Sequence, residues 1–207
     1  MLLTDTKIAR VLLSHGAGAG RDSSFMMDLA EQLKRHHLDV ELWDFPYMEK
    51  AKAEGKRRPP DRMPKLLDAM RSKIDSLAND LPLFLAGKSM GGRVSTLLMS
   101  ELKLPTVVYG YPFHPVGKPE KQRVDHLAPC QLQVPLLILQ GERDTFGNVD
   151  EVQQYDLAES VSVHWLADGD HSLKPRKASG LTQAQHLKEA ARITAAFVHN
   201  ILNQEHL

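Results

Sequence analysis

The sequence has little of what would place it in a special class. There is one cysteine, Cys130, in 207 residues, which excludes an internal disulfide and any zinc centre built from several thiolates. Its 26 basic and 26 acidic side chains cancel to a formal net charge of zero, so nothing pulls it generally toward nucleic acid or an anionic membrane. No apolar run approaches the roughly 20 residues of a membrane span. The opening MLLTDTKIARVLLSHG carries Asp5 where a secretory leader needs a positive start and an unbroken apolar stretch. Neither HExxH nor HxxEH occurs, so no metal is expected. These absences leave a soluble, cytoplasmic globule, one domain over residues 1–207. The 42% apolar share is ample for a core at this length.

What is present is a rhythm. Short apolar runs at Ile8–Ser14, Asp39–Trp43, Leu83–Ala86, Thr106–Tyr109, Pro135–Gln140 and Val161–Trp165 read as strands covered on both faces. Between them, apolar residues recur at three- and four-residue steps, as in Phe25-Met26-Leu29-Leu33 and Met63-Leu66-Leu67-Met70. Val94, Leu97 and Leu98 follow a glycine pair, and Ala190 to Ile201 mark a long last helix. This alternation predicts an α/β fold of about six mainly parallel strands. Two segments break the pattern. Residues 45–64 are rich in charge and proline and read as a solvated connection, although Lys56, Arg57 or Arg58 could reach an acidic substrate from the carboxyl edge of the sheet. Residues 110–129 are proline-rich and aromatic, and are expected to line or partly cover a pocket.

The sharpest motif is LFLAGKSMGGR, residues 83–93. Gly87, Ser89 and Gly91 form G-x-S-x-G between a strand and a helix, where a sharp turn exposes the serine hydroxyl as a nucleophile. The glycines are needed because a side chain there would meet neighbouring backbone. Gly87-Lys88-Ser89 also contains G-K-S, but a phosphate loop would need glycine at position 82, which is Pro82. Earlier, a strand enters His15-Gly16-Ala17-Gly18-Ala19-Gly20, with Asp22 or Ser23 placed to cap the next helix. In a serine hydrolase such a turn supplies one oxyanion N–H, here that of Ala17, and the other comes from Met90. The rival reading is a dinucleotide loop with Asp44 toward a ribose. It lacks the third glycine in either register, since Arg21 and Ser23 stand there.

An attacking serine needs a base and a group that orients the base. Asp144 follows the strand VPLLILQ and His171 follows VSVHW, so the chain order is Ser, Asp, His, each beyond a strand end. Glu142 or Asp150 could replace Asp144, and Asp168 or Asp170 could orient the histidine locally. Of the other histidines, His36, His37, His186, His199 and His206 read as surface. His164 falls in a strand and His126 near a proline-rich turn. His114 could face the pocket as a substrate contact, and His15 reads as support for the oxyanion turn.

The blocks LLSHGAGAG, LAGKSMGGR, YGYPFHPVGKPEKQRVDHL, LILQGERDTFG and DGDHSLKPRKASG together resemble the dienelactone-hydrolase-like, KANL/Tex-type branch of the α/β-hydrolases, over nearly the whole chain. The resemblance implies a minimal α/β-hydrolase fold without a large cap, with Ser89 as nucleophile, Asp144 as orienting acid and His171 as base. True dienelactone hydrolases use a cysteine nucleophile where this chain has Ser89, so their substrate does not carry over. The expected activity is hydrolysis of a small carboxylic ester or thioester, with no cofactor and a small molecule as partner. The alternatives are a hydrolase-fold binding or scaffold protein with little turnover, and a nucleotide-binding protein using the first glycine loop.

Overall fold

The computed structural model describes residues 6–204. Asp5 and His206, on which two expectations rest, lie outside the described residues. Six strands, β1 (Ala9–Ser14), β2 (Leu38–Trp43), β3 (Leu83–Lys88), β4 (Thr106–Tyr109), β5 (Leu136–Gly141) and β6 (Val161–Leu166), form one sheet in the order 2-1-3-4-5-6. All five pairings are parallel. The helices are α1 (Ser24–Lys34), α2 (Pro46–Glu54), α3 (Met63–Asp75), α4 (Met90–Leu102), the short α5 (Val149–Val152) and α6 (Gln183–Gln204). The six strands are those expected from the apolar runs, to within one or two residues at their ends.

Interior strands β4 and β5 are buried along their whole length, which is why they read as unbroken apolar runs rather than alternating ones. On one face, Met26, Leu29 and Leu33 of α1 and Leu187, Ala190 and Val198 of α6 cover Val11, Phe84 and Leu139. On the other, Leu66 and Met70 of α3 and Val94 and Leu98 of α4 pack on Leu12 and Leu85. Each fully buried leucine contributes about 1.5–3 kcal/mol of transfer free energy, so both layers are needed to hold the sheet.

The segment 45–64 departs from the expected solvated connection, because its first half is helical. Pro46 starts α2 in the first turn, where its missing N–H costs nothing, and Gly55 ends it at φ 62°. Tyr47 and Ala51 are buried against the body of the protein. The strand order reverses between β1 and β3. The chain leaving β1 goes to one face of the sheet and the chain leaving β3 goes to the other. A crevice therefore opens at their carboxyl ends, the position where such sheets bind ligands.

Candidate active site

The turn from β3 into α4 places Ser89 at φ 50° and ψ −111°, a strained conformation for a residue with a side chain. Close packing holds it there. A Cβ on Gly87 would lie 2.3 Å from the Gly92 nitrogen, and one on Gly91 would lie 2.5 Å from Ser14 Oγ. Gly92, which the sequence motif does not single out, is equally constrained, since a Cβ there would lie 2.3 Å from Val108 Cγ1 of β4. These contacts let α4 start directly under the sheet edge.

Ser89, Asp144 and His171 meet at this edge. Ser89 Oγ is 2.7 Å from His171 Nε2, and His171 Nδ1 is 2.8 Å from Asp144 Oδ2. Asp144 is fully buried. Its Oδ1 accepts from the Phe146 N–H at 2.8 Å and its Oδ2 from Gln140 Nε2 at 2.9 Å. A buried carboxylate with these donors cannot turn away from the imidazole. Gln140, at the end of β5, was not singled out from the sequence. Its amide also accepts from Tyr111 N–H at 2.7 Å, tying β4's exit to the Asp144 turn. The competing carboxylates are occupied elsewhere. Asp168 pairs with Arg143 and Arg176, and Asp170 Oδ1 accepts the Ser172 and Lys174 N–H groups within the histidine turn. Glu142 accepts from Asp168 N–H, and the helix cap after Asp144 is Asn148 with Glu151, not Asp144.

The glycine turn after β1 lies against the elbow, with a Cβ on Gly16 3.6 Å from Ser89 Cβ. Buried His15 fixes this turn. Its Nε2 accepts the Phe45 N–H at 3.0 Å, so Nδ1 carries the proton and donates to Gly16 O at 2.6 Å. Tyr47 of α2 donates to Ala17 O at 3.2 Å. Met90 N–H belongs to the first turn of α4, where no intrahelical acceptor exists. Two cavities open beside Ser89. One, of about 360 Å³, is lined by Ala17, Phe25, Met26, Phe146 and His171. The other, of about 370 Å³, is lined by Met90, Arg93, Pro112 and Arg123.

A family model described as an alpha/beta hydrolase domain matches residues 7–199. The chain belongs to the alpha/beta hydrolase family. Among solved structures, this hydrolase is similar to an alpha-beta serine hydrolase homologue from Coxiella burnetii, at 15% identity and a TM-score of 0.68 over 90% of this chain and 85% of that one. It is also similar to a dienelactone hydrolase from Anabaena variabilis (21% identity, TM-score 0.67, 93% and 87% covered). A third similar structure is Est1E from Butyrivibrio proteoclasticus (13% identity, TM-score 0.62, 95% and 89% covered). No curated protein matches the sequence. No helix among the described residues is long and apolar enough to cross a membrane, and no cluster of three or more metal-ligating side chains occurs among them.

Several expectations are corrected by the hydrolase structure. His114 lines neither cavity at Ser89. It is buried, with its ring nitrogens 2.9 Å from Pro115 O and 3.2 Å from Glu151. His186 is not at the surface but buried, with Nδ1 2.7 Å from Leu173 O beneath the histidine loop. Asp44 is unavailable to a ribose, because Lys52 Nζ at 2.6 Å and Arg21 N–H at 2.7 Å already occupy its oxygens. Lys56, Arg57 and Arg58 line a separate groove beside Gly18 rather than either cavity at Ser89, and Arg58 pairs with Glu54. Residues 110–129 do line a pocket, as expected, through Pro112 and Arg123 in the second cavity.

Lys88, the residue before Ser89, is buried, and its Nζ donates to His171 O at 2.5 Å. Burial pushes its pKa down to about 8. His171 lies below the ordinary histidine value of 6.5, chiefly through burial and also through the Lys88 charge, against the opposing pull of Asp144. In the base role expected of His171, only the neutral ring could take a proton from Ser89. Activity should therefore persist below pH 6.5 and fall as pH drops through the lowered His171 value. A kcat/KM profile with its acid limb below 6.5, shifted upward in Lys88→Met, is the expected result. A limb above 7 in the unaltered protein would mean that Asp144 outweighs burial.

Proposed function

We propose that the protein is a serine hydrolase that cleaves a small carboxylic ester or thioester. The relay from Ser89 Oγ through both His171 nitrogens to Asp144, at 2.7 and 2.8 Å, carries this reading. Ser89 attacks the acyl carbonyl while His171 Nε2 takes its proton, and Asp144 keeps the Nδ1 proton facing itself. The Ala17 and Met90 N–H groups stabilise the oxyanion. As the tetrahedral intermediate collapses, His171 returns the proton to the leaving oxygen or sulfur. Water, deprotonated by His171, then attacks the acyl-enzyme, and the released acid frees Ser89. Cavities near 360 Å³ stand at the small end of ligand sites, which favours short esters. The fold shared with serine hydrolases, esterases and a dienelactone hydrolase supports the reaction class.

The test is labelling with a fluorophosphonate probe alongside hydrolysis of p-nitrophenyl acetate and octanoate. One covalent adduct on Ser89 and faster turnover of the acetate are expected. A folded protein that neither labels nor turns over would favour the binding or scaffold reading instead.

A further inference from the structure

The second cavity at Ser89 carries two cations without anionic partners. Arg93 sits one helical turn after Ser89 on α4, and Arg123 reaches the same cavity from the loop after β4. Among the described residues neither guanidinium forms an ion pair; Arg57 and Arg62 form none either but are exposed, whereas Arg10, Arg21, Arg35, Arg58, Arg71, Arg143, Arg176 and Arg192 each do. Arg93 Nε is buried with no hydrogen-bond partner. Arg123 is held in place through its backbone, with its N–H donating to Phe113 O at 2.8 Å and its carbonyl accepting from Tyr111 OH at 2.8 Å. Partial burial, with repulsion from Arg93 second, depresses the Arg123 pKa, and burial with the Arg93 charge pushes nearby His126 down to about 4. Two neighbouring guanidiniums kept unpaired in a half-buried cavity cost free energy unless an anion visits them. The one carboxylate lining the cavity is Asp61. Its Oδ1 is 2.9 Å from Lys65 Nζ, and its Oδ2 is buried without a hydrogen-bond partner. Because Asp61 is already matched by Lys65, the charge of the two guanidiniums is left for an incoming carboxylate.

The two cavities also differ in chemistry. The first contains His171, which must protonate the leaving group, and its walls include Phe25, Met26 and Phe146. The second lacks His171 but contains Met90 and Ser89, so it lies on the acyl side. We propose that Arg93 and Arg123 bind a carboxylate at the far end of the acyl group, so that the substrate is a half-ester or half-thioester of a short dicarboxylic acid. Water is consumed, the alcohol or thiol leaves through the apolar cavity, and the free diacid is released. This rests on the serine-hydrolase reading above and names its substrate class.

The test compares 4-nitrophenyl hydrogen glutarate with its methyl ester, which removes only the distal charge. The unaltered protein should prefer the acid by roughly 30-fold in kcat/KM, the scale of charge-assisted hydrogen bonds at a carboxylate. That ratio should fall toward one in Arg93→Met/Arg123→Met, recover in part in Arg123→Lys, and shrink in 1 M salt. If Arg93→Met does not fold, Arg123→Met and the salt series on the unaltered protein decide the matter. A protein that labels at Ser89 and cleaves the methyl ester with no preference for the acid overturns this inference alone. So does a ratio unchanged in the folded Arg123→Met variant. Absence of both labelling and cleavage overturns the hydrolase reading and this inference with it.

Discussion

Ser89→Ala should abolish fluorophosphonate labelling and reduce ester turnover by on the order of 10⁴-fold or more, because triad members act as a unit. Little stability should be lost. The Ser89 side chain caps nothing in α4, and its hydroxyl bonds His171 Nε2 at 2.7 Å in the crevice wall. Alanine keeps the Cβ that the turn accommodates, while Gly87, Gly91 and Gly92 keep the close approach of α4 to Ser14 and Val108. The melting temperature should therefore stay within a few degrees while the rate collapses. Labelling that survives at another serine would remove Ser89 from its role.

The second large effect is expected at Asp144. Asp144→Asn keeps the size of the side chain, and its carbonyl oxygen can still accept from Phe146 N–H. The amide nitrogen would then face both His171 Nδ1 and Gln140 Nε2, which stand 2.8 and 2.9 Å from Oδ2 in the unaltered protein. Donor would meet donor at Gln140. The imidazole would switch to the tautomer protonated at Nε2, which cannot take the Ser89 proton. A loss of roughly 10²- to 10⁴-fold in kcat is expected, with a lowered melting temperature from the strained Gln140 contact. Asp168→Asn and Asp170→Asn should change the rate far less, since one pairs with arginines and the other holds backbone N–H groups. An equal loss at Asp170 would assign the orienting role to the wrong carboxylate.

The parallel α/β fold, the elbow at Ser89 and the chain order of Asp144 and His171 are all legible in local patterns. Apolar runs report strands buried on both faces, a glycine on each side of a serine reports a turn that tolerates no side chain, and motifs just past strand ends must gather at one sheet edge. Local patterns do not carry contacts between distant elements. His171 and Ser89 are 82 residues apart, and the clamp of Gln140 on Asp144 is an ordinary strand residue until the loop folds back over it. Lys88 stands in the sequence only as the middle of a G-K-S triplet, and its burial under the histidine turn comes from the fold. Helix α2 is hidden by a charged, weakly periodic stretch, although Pro46 and Gly55 mark its two ends.

The expected position of charge at the site shows the division most sharply. The sequence offers Lys56, Arg57 and Arg58 as the basic alternative to a solvated connection, because a cluster in sequence is visible and its ion pairs are not. The folded chain pairs Arg58 with Glu54, lines a separate groove with all three, and leaves Arg93 and Arg123 unpaired beside Ser89. By itself the sequence determined which residues could do chemistry and at which edge of the sheet they would gather. Only the tertiary structure decided which charges are already neutralised by neighbours, since an ion pair closes over a few ångströms in space between residues that no spacing rule connects.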